Sequence, residues 1–138
     1  MELVEAFLGN ETIKQRLTNA LAKDQLSHCY LLCGPAGSGK HVLARYITAI
    51  MECTGAHKPC GHCPQCHKIL SGTHPDVIVV DEPSKTSIPV KLVREACADL
   101  YVRPNEGRKK IYVFPRAQAL NPQGQNALLK CIEGPPPY

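Results

Sequence analysis

The sequence lacks long apolar runs and any targeting segment at its N-terminus. Its longest apolar stretches, such as residues 77–80 and 111–114, fall far short of the roughly 20 apolar residues that cross a bilayer as a helix. Residues 1–8 carry two acidic residues and no basic region, so they do not resemble a secretory signal. Internal repeats and low-complexity tracts are also missing. These absences exclude a membrane protein and favour the cytoplasm.

The 138 residues do contain enough apolar material for one globular domain. The chain is 43% hydrophobic and 20% charged, which suits a single buried core at this length. Its net charge is +4, with the lysines and arginines spread out except at residues 108–110. Because a short basic run is usually a solvated loop, charge alone does not indicate nucleic-acid binding.

The spacing of apolar residues predicts helices that alternate with strands. Stripes at helical spacing predict helices over about residues 10–23, 40–52, 90–100 and 121–133. Short continuous apolar runs predict buried strands over residues 29–33, 77–80 and 111–114. The first helix is predicted to begin at an Asn10 cap. This order predicts a parallel α/β sheet with right-handed crossovers.

A glycine-rich segment lies between the first predicted strand and the second predicted helix. It consists of Gly34, Pro35, Ala36, Gly37, Ser38, Gly39 and Lys40, followed by His41. Glycine, four residues, glycine and lysine form the phosphate-loop pattern, in which backbone N–H groups surround the phosphates and the lysine reaches the outer ones. The alternative is a glycine loop that only joins a strand to a helix.

The position after Lys40 departs from this pattern. A serine or threonine there normally coordinates the magnesium ion that bridges the outer phosphates. His41 occupies it here, and imidazole is a poor ligand for a cation that prefers oxygen. The sequence therefore predicts an impaired magnesium site beside a loop that can still hold phosphates.

A hydrolysing protein of this type also needs acidic residues at the end of a nearby strand. Asp81 and Glu82 follow the second predicted strand, whereas Pro115 and Arg116 follow the third. In the common sheet of such ATPases the acids follow the third strand, and the second lies at the edge. We therefore predict that Pro115 and Arg116 replace the catalytic acids. The alternative is an active ATPase that uses Asp81 and Glu82.

Four of the eight cysteines crowd into fourteen residues, at Cys53, Cys60, Cys63 and Cys66. In a reducing compartment, four thiolates with this spacing predict a closed, tetrahedral, structural zinc site. An iron–sulfur cluster and a set of unligated cysteines are the alternatives. Three nearby histidines, His57, His62 and His67, are other potential ligands, but we leave them out because four cysteines already complete the tetrahedron.

The other four cysteines are scattered along apolar stretches. They are Cys29, Cys33, Cys97 and Cys131. We predict that they are small, buried, apolar side chains.

Taken together, these motifs resemble the N-terminal ATPase-fold domain of the bacterial DNA polymerase III clamp loader, in its delta-prime and gamma/tau subunits. The similar stretches run in family order along nearly the whole chain. They include Gly9-Asn10, residues 28–32, the phosphate loop, the cysteine module, residues 72–76 and the final segment from Asn126 to Pro136. That last segment is the most specific, although Gly134 departs from the family's second glutamate.

The resemblance implies an AAA+ P-loop NTPase fold, a parallel sheet flanked by helices, with a zinc-binding insertion at about residues 53–67. It also implies that the family's acids would stand at Pro115 and Arg116. Gamma/tau subunits keep these acids, whereas delta-prime subunits have typically lost them, so the chain is more similar to delta-prime.

By this resemblance the chain is a non-hydrolysing subunit with weak or absent ATP or ADP binding. Its implied partners are the gamma/tau and delta subunits, and through them the sliding clamp and primed DNA. The family's arginine finger, next strand, helical lid and C-terminal domain would follow Tyr138, which is not expected to be a natural end. A zinc-dependent module that binds DNA or protein, with a relic phosphate loop, is the third hypothesis.

Overall fold

A computed structural model describes residues 11–137, so the predicted Asn10 cap lies outside the described part of the chain. The chain divides between His74 and Pro75 into two compact units. Among residues 11–74, the first contains three helices, α1 (Glu11–Ala22), α2 (Lys40–Glu52) and α3 (Pro64–Ser71). The second contains β1 (Val77–Val79), α4 (Val90–Asp99), β2 (Ile111–Val113), a 3-10 turn (Ala117–Ala119) and α5 (Pro122–Glu133).

The core of the first unit forms between α1 and α2. It consists of Leu17 from α1 and four side chains on one face of α2, namely Leu43, Tyr46, Ile47 and Ile50. These positions follow the helical spacing of the sequence, so the two helices predicted there are confirmed. α2 also packs against α3, which carries part of the cysteine module.

The strand predicted over residues 29–33 is not a strand. The segment makes no ladder hydrogen bonds among the described residues, and the Leu31 side chain is 77% exposed. An apolar run shows that a segment is suited to burial, but a strand also needs a neighbour to pair its N–H and C=O groups. The sequence pattern could not supply that neighbour.

The second unit is a parallel strand pair covered by two helices. β1 and β2 pair in parallel with Val77 opposite Ile111, and α4 and α5 pack against each other. Ile88 and Val93 are fully buried in the core of this unit. The predicted parallel pairing and both predicted helices are confirmed. The described chain is therefore a helix-rich α/β protein with a small parallel sheet.

The scattered cysteines differ from their predicted role. Cys29 and Cys33 are exposed, so the prediction that they are buried was wrong. Cys131 is buried as predicted, and a disulfide joins it to Cys97, which ties α5 to α4. Cys29 and Cys33 are the two ends of the run that does not form a strand, so no sheet covers their side chains.

No helix among residues 11–137 is long and apolar enough to cross a membrane.

Candidate metal centre and phosphate loop

The four predicted metal ligands meet at one point. The Sγ atoms of Cys53, Cys60, Cys63 and Cys66 all lie within 4.8 Å of one another. A tetrahedral zinc ion with Zn–S bonds of about 2.3 Å separates its sulfur ligands by roughly 3.8 Å. The Cys53 and Cys63 sulfurs, at 4.0 Å, are close to that spacing. Four thiols that converge in this way fit a closed structural site for zinc.

Two helix ends place these sulfurs. Cys53 is the C-cap of α2, and Cys63 is the N-cap of α3, where its sulfur accepts the N–H of Cys66. Pro64 fits the first helical turn because it lacks the N–H that would be unpaired there. Cys53 and Cys66 are fully buried, whereas Cys60 and Cys63 are partly exposed. The centre therefore lies against the helices with one side open.

Backbone N–H groups surround the sulfurs and favour their thiolate forms. The Cys60 sulfur accepts the N–H groups of His62 and Cys63, at 3.3 and 3.2 Å, and these bonds lower the pKa of the Cys60 thiol. Burial raises the pKa of Cys63, but hydrogen bonds from Thr54 and Cys66 outweigh it and bring the pKa down to about 5. Burial raises the pKa of Cys66. A cation would supply the charge that stabilises this last thiolate.

Gly55 is a residue of the centre that the sequence interpretation did not identify. A Cβ atom there would lie 2.8 Å from Cys60 Cβ and 3.0 Å from Cys60 Sγ. Any side chain would therefore push a ligand out of place. The three histidines considered as substitute ligands, His57, His62 and His67, are exposed and lie outside the cluster of sulfurs.

The phosphate-loop residues form a turn that leads into α2. Gly37 and Gly39 have left-handed backbones, with φ of 80° and 89°, and Gly39 is the N-cap of the helix. Lys40 Nζ donates to the Gly34 carbonyl at 2.7 Å, so the lysine closes over its own loop. To reach a phosphate it would have to give up this hydrogen bond. His41 lies exposed on the first turn of the helix.

The carboxyl ends of β1 and β2 are joined by an arginine. Arg116 donates from Nε and Nη2 to Asp81 Oδ1, at 2.9 and 2.7 Å, and from Nη2 to the Glu82 carbonyl at 2.8 Å. The Glu82 carboxylate instead accepts the hydroxyl of Ser84 at 2.6 Å. Hydrogen bonding to Arg116 lowers the pKa of Asp81. The Arg116 guanidinium thus pairs with Asp81, the acidic residue that follows β1.

Replacing Arg116 with glutamine is expected to raise the pKa of Asp81 toward its ordinary value of about 3.9. With a lowered folded-state pKa, Asp81 contributes stability that is present above its unfolded pKa and is lost as the pH falls through the folded value. The variant should lose this contribution. Carbon NMR titration of the Asp81 carboxyl would measure it, with Arg103→Gln, in an exposed loop before β2, as the control. An unchanged Asp81 pKa in the Arg116 variant would contradict the pairing.

Together these features define an α/β protein with a glycine-lysine loop at the start of one helix and, at its end, a four-cysteine cluster that could hold a metal ion. A profile of the family described as "DNA polymerase III, delta subunit" matches residues 9–138. The chain belongs to this family, which confirms the resemblance seen in its motifs.

Named relatives include two kinds of DNA polymerase III subunit. The chain is 33% identical over 132 residues to subunit gamma/tau of Mycoplasma pneumoniae, covering 95% of this chain and 19% of that protein. It is 34% identical over 133 residues to subunit tau of Escherichia coli, covering 95% and 20%. It is 37% identical over 115 residues to subunit delta' of Pseudomonas aeruginosa, covering 80% and 35%. The chain thus spans about a fifth to a third of these relatives.

Proposed function

We propose that this chain is the N-terminal part of an AAA+ P-loop domain in a non-hydrolysing, delta-prime-type subunit of the bacterial clamp loader. In this role it stands in the cytoplasm beside gamma/tau and delta subunits while they use ATP to load the sliding clamp onto primed DNA. The remaining strand, lid and C-terminal domain would belong to the rest of such a subunit. The relatives include both subunit types, so the choice between them depends on the site residues.

The ion pair between Arg116 and Asp81 is the observation that carries this proposal. Magnesium in phosphate-transfer sites needs a free carboxylate at a strand end. Pro115 and Arg116 follow β2 and offer none, and the carboxylate that follows β1 is already bound to the guanidinium at 2.7 Å. A cation recruited to Asp81 would have to displace Arg116 first.

The residues of the phosphate loop support the same function. His41 supplies no hydroxyl to magnesium, and Lys40 is bound to the Gly34 carbonyl rather than extended. We expect ATP or ADP to bind weakly or not at all, with any contact made by the loop from Gly34 to Lys40. Magnesium should add little to that affinity, because neither the loop nor β2 provides its usual ligands.

The second candidate is an active gamma/tau-type ATPase that uses Asp81 and Glu82. Two adjacent acids after β1 and the identity to gamma/tau subunits favour it. Against it, Asp81 is ion-paired, and the Glu82 side chain is bound to Ser84.

The cysteine module is proposed to hold one structural zinc through Cys53, Cys60, Cys63 and Cys66. Zinc there would cross-link the end of α2 to the start of α3 and supply the folding energy that a short loop cannot. A module that itself binds DNA or protein remains the third hypothesis. Tight, salt-dependent DNA binding by the isolated chain would favour that third function.

Calorimetry and turnover assays on the complete subunit separate these functions. We expect ATP to bind equally weakly with magnesium and with a chelator, and no hydrolysis above background. Magnesium-dependent tightening, together with turnover that Asp81→Asn abolishes, would instead establish the active ATPase. Glu95→Gln, an exposed acid on α4, serves as the control substitution.

A further inference from the structure

A buried polar cluster lies beside the metal centre. The side chains of Glu52 and His74 are 0% and 1% exposed, with His74 Nε2 at 3.8 Å from Glu52 Oε2. His74 Nε2 also makes a short hydrogen bond to Gln65 Oε1. An amide oxygen can only accept, so His74 is the donor in that bond. Burying such polar groups costs free energy unless they are paired with one another or hydrogen-bonded.

The cluster joins the two chain segments that hold the buried cysteines to a third segment, which follows α3. Glu52 is the last residue of α2 and precedes Cys53, while Gln65 lies in the first turn of α3 and precedes Cys66. His74 follows α3 and reaches back to that first turn because the chain reverses at Gly72, the C-cap of α3, where φ is 73°. The Thr73 N–H donates a hydrogen bond to the Lys68 carbonyl at 2.8 Å, which stabilises this chain reversal.

We propose that Glu52, His74 and Gln65 position the metal centre. His74 binds the end of α2 to the start of α3 and thereby fixes the distance between Cys53 and Cys66. The cluster is not itself a ligand set, because no atom of it belongs to the group of converging sulfurs. This inference rests on the proposed zinc site and extends it to residues that touch no metal. It predicts that zinc affinity depends on side chains outside the cysteine motif.

Competition with a chromophoric chelator for zinc tests this role. Removing groups that orient metal ligands typically weakens metal binding about 10- to 100-fold. We expect the loss of zinc affinity in His74→Ala to fall in that range. Glu52→Gln should weaken zinc binding less, because its amide can still pair with the imidazole. His74→Gln keeps a donor toward Gln65 and should recover most of the affinity. Cobalt-loaded protein should keep its thiolate charge-transfer band in all three variants, because the four ligands are unchanged.

Two controls separate positioning from a general loss of stability. His62→Ala removes an exposed histidine between two ligands, and its zinc affinity should equal that of the unmodified protein. Leu43→Ala destabilises the core between α1 and α2 and should lower the melting temperature without a matching loss of zinc affinity.

The outcomes also separate this inference from the zinc proposal. An unmodified protein that binds no zinc would overturn the metal site itself. If that protein binds one zinc, and His74→Ala binds it as tightly as His62→Ala does, only the positioning role is refuted. The positioning role is also refuted if His74→Ala and Leu43→Ala have equal melting temperatures and lose the same amount of zinc affinity.

Discussion

The Cys63→Ser protein is expected to contain no zinc and to lose the folded structure of its cysteine module. Four-thiolate sites bind zinc with an apparent free energy of roughly 10–16 kcal/mol near neutral pH. That exceeds or equals the whole stability of most domains, about 5–15 kcal/mol. Since three remaining thiolates cannot close the tetrahedron, the metal's contribution to folding should largely disappear. Elemental analysis should change from about one zinc per chain to none.

Replacing Cys63 with serine distinguishes the effect of losing the metal from the effect of losing the helix N-cap. The Cys63 sulfur accepts the N–H of Cys66 as the N-cap of α3, at 3.4 Å. Serine is a strong N-cap residue, so the substitution keeps the cap and removes a metal ligand. Loss of structure in this variant therefore reports the metal rather than a frayed helix. Circular dichroism and melting temperature would record that loss.

Cys29→Ser is the matched control for this experiment. Cys29 is exposed and lies outside the cluster of sulfurs, so its replacement should leave both the zinc content and the melting temperature unchanged. A Cys63→Ser protein that is metal-free yet as stable as the Cys29→Ser protein would refute a structural zinc. An unmodified protein with iron and visible charge-transfer absorption would instead establish the iron–sulfur alternative.

The convergence of the four cysteines could be predicted because their arrangement is local. All four cysteines lie within fourteen residues, so their spacing, with proline and glycine between them, limits the number of ways in which the loop can fold. The helices could also be predicted, because each carries its own stripe of apolar residues. Gly55 was missed because its role depends on a contact with Cys60 that spacing alone does not show.

Features that depend on distant partners could not be predicted. The run over residues 29–33 has the composition of a buried strand, but pairing depends on a neighbour that its own residues do not specify. His74 and Asp76 are polar residues whose types do not indicate burial, yet both are buried. Their partners lie nine to thirty-one residues away in the sequence. The bond between Arg116 and Asp81 likewise spans 35 residues.

Asp76→Ala is expected to destabilise the second unit by roughly 1–3 kcal/mol, because it removes the buried carboxylate that accepts three backbone N–H groups of one loop. The Asp76 carboxylate is 1% exposed and accepts the backbone N–H groups of Asn105, Glu106 and Gly107, at 2.5, 2.8 and 2.6 Å. No other residue type offers two oxygens that accept three such bonds in so short a side chain.

The same residue also fixes the start of the sheet. The Asp76 carbonyl accepts the Ile111 N–H at 2.9 Å, directly before the paired residues of β1 and β2. Its side chain therefore holds the loop that leads into β2, while its backbone sets the register of the strand pair. Losing the carboxylate should loosen residues 105–107 first and then the β2 end of the ladder.

Denaturant unfolding and amide hydrogen exchange would measure both effects. For a unit of this size, a loss of 3 kcal/mol lowers the melting temperature by more than about 10 °C. Exchange at Asn105, Glu106 and Gly107 should accelerate together, because one carboxylate protects all three.

The stability of the Asp76→Asn protein should fall between those of the unmodified protein and the Asp76→Ala protein. Its side-chain amide keeps one acceptor oxygen but turns an N–H group toward the donors of the loop. Glu106→Ala keeps its backbone N–H and should change stability by less than about 0.5 kcal/mol. An Asp76→Ala protein that matches this control would show that the loop holds its position without the carboxylate.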